Sequence, residues 1–160
     1  MKIILISDGK YDGNTYQLCE VICYTINEHT QHTCSLYRLN KYDDEKIDPS
    51  VIAGFDIIGI AAPSRFIRTL MLLDKVPINN SSFFIVNTHH YCVPKVNKII
   101  HKILAKRCLG EFVGIIRAHS PIHATKRIIR MPHNKWRDIE ETKHQISSLI
   151  CKVDSEKLFQ

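Results

Sequence analysis

IILISDGKYDGNTYQLCEVICYTINE, residues 3 to 28, carries the two periodicities that decide the fold. Ile3 to Ile6 is a continuous apolar run of strand length. Asn14 to Glu28 places Leu18, Val21, Ile22 and Ile26 on one stripe of a helix. Between them runs the turn Ser7-Asp8-Gly9-Lys10-Tyr11-Asp12-Gly13. A strand, a Gly-containing turn and a helix start form a ready phosphate cradle, because first-turn N–H groups and the positive end of the helix dipole converge there. Asp8 and Asp12 stand in the same turn, and carboxylates repel anions.

The alternation continues outward from that unit. Thr33 to Leu39 reads as a more polar strand near an edge, and Asn40 to Pro49 as a polar connection. Phe55 to Ala62 (FDIIGIAA) is a buried strand, and Thr69 to Val76 a short helix stopped by Pro77. Phe83 to Val86 is a further strand. Pro94 to Cys108 is a helix with Pro94 in its first turn and Val96, Ile99, Ile100, Ile103 and Leu104 on its stripe. Phe112 to Ile116 gives the fifth strand and Ala118 to His133 an irregular segment. Asn134 to Val153 closes as a helix with Trp136, Ile139, Ile146, Leu149, Ile150 and Val153 mostly on one side. Apolar strands separated by amphipathic helices predict a doubly wound parallel sheet covered on both faces. Residues 1–160 read as a single domain of this kind. Its ligand rim would collect the carboxyl-end turns at Ser7 to Thr15, Pro63 to Arg68 and Thr88 to Val93.

Composition narrows the function classes. The 160 residues are 44% hydrophobic and 24% charged, as in ordinary globular chains. No apolar run reaches membrane-spanning length, and Met1-Lys2 leads straight into a strand with no small-residue cleavage site behind it. The six cysteines form no paired framework, so reduced thiols in a cytoplasm are expected. Net charge is +6, which favours acidic partners. Basic residues are not interleaved with aromatics, so no nucleic-acid partner is expected. His29, His32 and Cys34, and likewise His89, His90 and Cys92, lack paired C-x-x-C spacing, so no metal is expected. Cys92 beside two histidines is either a reactive thiol or an ordinary loop cysteine. Cys19 and Cys23, four apart on the first helix, read as packing beside the core stripe. Arg117, Lys126, Arg127 and Arg130, with His119, His123 and His133, make a cationic stretch that either steers an acidic partner or is solvated.

The sequence resembles the flavodoxin-like family. Gly13-Asn14-Thr15 matches the end of that family's first turn, hydroxyl-x-hydroxyl-Gly-Asn-Thr. FDIIGIAAPSRF resembles its third strand and flavin loop, and SSFFIVNTHHYCVPKVNKIIHKIL its fourth strand, loop and helix. Arg130-Met131-Pro132-His133-Asn134, with Asp138 and Glu141, is similar to a helix start in flavodoxin domains that neighbour ferredoxin modules. Arg65-Phe66 resembles the second loop of the flavodoxin-like protoporphyrinogen dehydrogenase branch. The resemblance implies a five-stranded parallel sheet of order 2-1-3-4-5. It also implies FMN as cofactor, and either electron transfer or reduction of a quinone or porphyrinogen. The partner implied is a redox protein, ferredoxin-like or acidic. Cofactor-binding residues implied are Lys10, Tyr11, Asp12, Gly13, Asn14 and Thr15 for the phosphate. Pro63, Ser64, Arg65 and Phe66 would flank one ring face, with Phe66 stacking. Thr88, His89, His90, Tyr91 and Cys92 would flank the other edge.

Departures from the pattern set up an alternative. Lys10 and Asp12 replace family hydroxyls, Ile67-Arg68 stands where a Gly is common, and His89 to Cys92 replace small residues. A carboxylate ~4 Å from a phosphate charge costs about 4 kcal/mol at an effective dielectric of 20. The alternative is a flavodoxin-fold module with degenerate flavin loops that binds no FMN and acts through protein contacts.

Overall fold

Each of the five strand-like runs forms a parallel strand in one sheet of order β2-β1-β3-β4-β5. The structure is a computed structural model that describes residues 1–7, 13–39, 46–63, 71, 74–77, 82–89, 111–119 and 139–157. The strands are β1 (Lys2–Ser7), β2 (Thr33–Arg38), β3 (Ile57–Pro63), β4 (Ser82–His89) and β5 (Phe112–His119). The helices are α1 (Asn14–His29), α2 (Pro49–Ile52) and α3 (Ile139–Lys157). The expected helix at 94–108 and most of 69–76 lie outside the described residues, although Met71, Asp74 and Lys75 are helical.

Strand alternation divides the core into two layers. Ile3, Leu5, Ile57, Ala61, Phe84 and Val86 face Leu18, Val21, Ile22 and Ile26 of α1 and Ile146, Leu149 and Ile150 of α3. Ile4, Ile6, Ile58, Ile60, Phe83 and Ile85 face the other way, against Leu39, Ile47 and Val76 and the partly buried Val51 and Ile52 of α2. Helices therefore cover both faces, as the continuous apolar strands require. Each fully buried Ile, Leu or Phe contributes about 1.5–3 kcal/mol by leaving water.

Gly59 sits in register between Leu5 of β1 and Phe84 of β4. A Cβ there would run into Leu5 Cδ2 and would lie 2.6 Å from Phe84 Cζ. The missing side chain makes room for the Phe84 ring. At the far edge the β4–β5 register slips, pairing Phe83 with Phe112 and Phe84 with Gly114. The Phe83 and Phe112 rings pack across that slip at 5.4 Å between centroids.

β3 begins at Ile57, not Phe55, and takes in Pro63, which was expected in the following loop, and three further elements differ from the sequence expectation. β4 runs on through Asn87, Thr88 and His89, because a parallel ladder needs only backbone groups and β3 and β5 supply them. Thr88 and His89 are thus strand residues, not loop residues. β5 likewise extends through Ala118 and His119. α2 starts at the end of the expected polar connection. Asp48 Oδ1 accepts from Ser50 N at 2.9 Å, and Pro49 occupies the first turn. Among the described residues, no helix is long and apolar enough to cross a membrane.

Candidate functional site

The site is built where β1 hands the chain to α1. Strand order reverses between β1 and β3, so the carboxyl ends of those strands border the crevice in which open α/β sheets hold ligands. Gly13 is the N-cap of α1, with φ −83° and ψ 146°. That is extended backbone open to any residue, so glycine here provides close approach, not a special dihedral. No side chain caps the helix, and its first turn holds no acidic residue. The first-turn N–H groups and the dipole, worth about 0.3–1 kcal/mol toward an anion, are directed at the crevice.

Two contacts fix how α1 lies on the sheet. At its start, Thr15 Oγ1 and Thr88 Oγ1 hydrogen-bond at 2.7 Å, although the residues are 73 positions apart. Near its end, Asn27 holds Cys34 of β2 through both backbone groups. Its Oδ1 accepts from Cys34 N at 2.7 Å, and its Nδ2 donates to Cys34 O at 3.1 Å. The helix therefore crosses diagonally from the carboxyl end of β4 to the amino end of β2, and its positive end overhangs β4. The two threonines carry two hydroxyl protons between them. Their mutual bond uses one, and the other is available to an acceptor.

Polarity changes abruptly at this end of the sheet. Ser7 is 0% exposed, and Thr15, Asn87 and Thr88 are each 5% exposed. Among the described residues, all the buried polar side chains are neutral. Ser7 hydrogen-bonds to the thiol of Cys19, whose pKa burial pushes far up, with Cys23 adding to the rise and Ser7 partly offsetting it. This thiol stays protonated at ordinary pH.

Of the expected cofactor residues, the structure brings Gly13, Asn14 and Thr15 together with Thr88. Pro63 and His89 end β3 and β4 beside them, with Pro63 in register with Thr88 and His89 with His119. Lys10, Tyr11, Asp12, Ser64, Arg65, Phe66, His90, Tyr91 and Cys92 lie outside the described residues. Sequence reasoning placed Ser7 on the ligand rim without giving it a role, and passed over Asn87. The available signal was that each is the first polar residue after an apolar run. Among the described residues no group of three His, Cys, Asp or Glu has metal-holding geometry. His32 lies 3.2 Å from the Met1 nitrogen through Nδ1, while Cys34 is buried under α1.

A scan of protein-family models finds no match, and a sequence search of curated proteins finds none either. Solved structures do match. The flavodoxin of Streptococcus pneumoniae TIGR4 is similar over 94% of this chain and 98% of its own, with 12% identity and a TM-score of 0.57. A flavodoxin from the domain Archaea is similar over 96% and 99%, with 16% identity and a TM-score of 0.58. An NADH:FMN oxidoreductase in its apo form is similar over 96% and 89%, with 11% identity and a TM-score of 0.60. None of these three is a protoporphyrinogen dehydrogenase. At such identities the likeness is one of fold, and the fold is flavodoxin-like.

Proposed function

We propose that this chain is an FMN-binding redox protein that seats the flavin phosphate at the start of α1. One observation carries the reading: the 2.7 Å bond from Thr15 to Thr88, which holds the helix N-terminus over the carboxyl end of β4. The donor set fits a phosphate. Gly13 allows close backbone approach, no carboxylate occupies the first turn of α1, and the threonine pair retains one hydroxyl proton. When bound, FMN supplies the redox chemistry, and the protein supplies binding, orientation and electrostatics.

In this reading, backbone N–H groups from Lys10 to Thr15 bind the phosphate. By the resemblance, Pro63, Ser64, Arg65 and Phe66 would flank one face of the ring, with Phe66 the stacking residue. Thr88 to Cys92 would flank the other edge, with Tyr91 the second aromatic. Similarity in fold to flavodoxins and to an NADH:FMN oxidoreductase supports electron transfer or small-molecule reduction as the activity. The +6 net charge supports an acidic redox partner.

The test is a visible spectrum of the purified chain during titration with FMN. Uptake with flavin absorption bands is the expected result. No uptake at tens of micromolar, about 6 kcal/mol of binding, replaces this reading with the alternative, a flavodoxin-fold module with degenerate flavin loops that acts through protein contacts.

A further inference from the structure

A second chemical site lies under the other end of α1. Cys23 is half-buried on the helix, and Cys34 is buried on the adjoining edge strand β2. Their Sγ atoms are 3.0 Å apart. Two thiolates sharing one zinc ion at ~2.3 Å each in tetrahedral geometry would stand about 3.8 Å apart. A disulfide needs ~2.05 Å. The observed separation is too short for a shared metal, and closing it takes about 1 Å of sulfur movement.

The pair is also held. Asn27, one helical turn beyond Cys23, clamps the backbone N–H and C=O of Cys34. Thr30 Oγ1 donates to Ile26 O at 2.7 Å and accepts from His32 N at 3.1 Å, so the short connection between the two thiols is itself tied down. Cys19 is fully buried one turn before Cys23 and bonded to Ser7. Three thiols thus share one region with three different degrees of access.

We propose that Cys23 and Cys34 form a reversible dithiol–disulfide site that reacts with small-molecule disulfides of the glutathione class. Cys23 meets the oxidant and Cys34 resolves. Cys23 thiolate attacks one sulfur of the small disulfide, whose S–S bond breaks. A mixed disulfide forms on Cys23, and one small thiolate leaves and takes up a proton. Cys34 then gives up its proton and attacks Cys23 Sγ, expelling the second small thiol. Two protein thiols are oxidised and one small disulfide is reduced to two thiols. The order of attack follows from access and from the hydrogen bond. Cys34 keeps its proton through its bond to Cys23 and through burial, both of which raise its pKa. The product ties the edge strand β2 to α1 and leaves the opposite end of the helix untouched.

The folded 160-residue chain, incubated with oxidised glutathione, alkylated and digested, tests this by peptide mass mapping. The expected result is a Cys23–Cys34 cross-linked peptide that dithiothreitol reverses, with Cys151, exposed on α3, carrying at most a single glutathione. Cys34→Ser should trap glutathione on Cys23, and Cys23→Ser should leave Cys34 reduced. Glutathione persisting on Cys23 of the unaltered chain beside a reduced Cys34 would overturn the proposal, as would a Cys19–Cys23 link. The map of the unaltered chain decides the matter even if a variant fails to fold.

Discussion

The two ends of the sheet are finished in opposite ways. At the amino end, exposed carboxylates close the strands. Asp56 accepts from Lys2 N at 2.7 Å through Oδ2, and Ser82 Oγ donates to Glu111 Oε2 at 3.3 Å. At the carboxyl end, the buried polar side chains among the described residues are neutral: Ser7, Thr15, Asn87 and Thr88. Water satisfies polar groups at the first end. At the second, burial of hydroxyls costs free energy unless they are bonded, so the fold joins Thr15 to Thr88 there. The difference teaches that, among the described residues, the fold leaves carboxylates in water at one end and buries paired neutral hydroxyls at the other. It also separates the site from the stabilising core that the two ends share.

The contrast breaks most readily at Gly13. Gly13→Asp would place a carboxylate at the N-cap of α1, whose first turn holds no acidic residue. FMN affinity should fall by about 4 kcal/mol, roughly a thousandfold, if the charges lie ~4 Å apart. Helix stability should hold or rise by a few tenths of a kcal/mol, since Asp caps slightly better than Gly. A flavin titration beside a thermal melt checks both, and unchanged affinity would place the phosphate elsewhere.

Thr88→Val tests the buried hydroxyl pair next. Removing one partner should cost about 1–3 kcal/mol of stability in urea unfolding. Adding Thr15→Val should recover part of that loss, because the two residues act as a pair. Purely additive losses would show that the bond carries no energy.

Alkali probes the thiol beneath the same end. The folded pKa of Cys19 is raised mainly by burial, so its contribution is fully present below the unfolded value of ~8.5 and is lost as pH rises beyond it. Stability should fall by up to ~1.4 kcal/mol per pH unit for this group above that value. Cys19→Ala should make the decline shallower, and an identical slope would assign it to other groups.

The smallest effect belongs to the amino end. Asp56→Asn should cost at most about 1 kcal/mol, because its bond to Lys2 N is exposed. FMN affinity should not change. A loss of affinity comparable with that of Gly13→Asp would erase the distinction between the two ends.

What could be read from sequence follows the same divide. β1 and α1 were legible because a buried strand and an amphipathic helix write their burial as apolar periodicity, and Leu18, Val21, Ile22 and Ile26 are indeed all buried. The strand order came from family resemblance, and the structure bears it out. β4 was read as ending at Val86 because an apolar-run rule stops where polarity begins, while the backbone ladder goes on to His89. The residues that rule discards, Asn87 and Thr88, are buried at the carboxyl end of β4, where the candidate site lies. α2 had a local signal in Asp48-Pro49, an N-cap followed by a first-turn proline. The Thr15–Thr88 and Cys23–Cys34 contacts had none, because both depend on how α1 docks across the sheet. Of the expected ring-flanking side chains, only Thr88 is described, so the assignments to Phe66 and Tyr91 rest on resemblance.

The central claim is that the start of α1 holds a phosphate, and comparing FMN with riboflavin by fluorescence titration tests it most directly. FMN should bind at least tenfold more tightly, about 1.4 kcal/mol or more contributed by the phosphate alone. Equal affinities for the two flavins would contradict it.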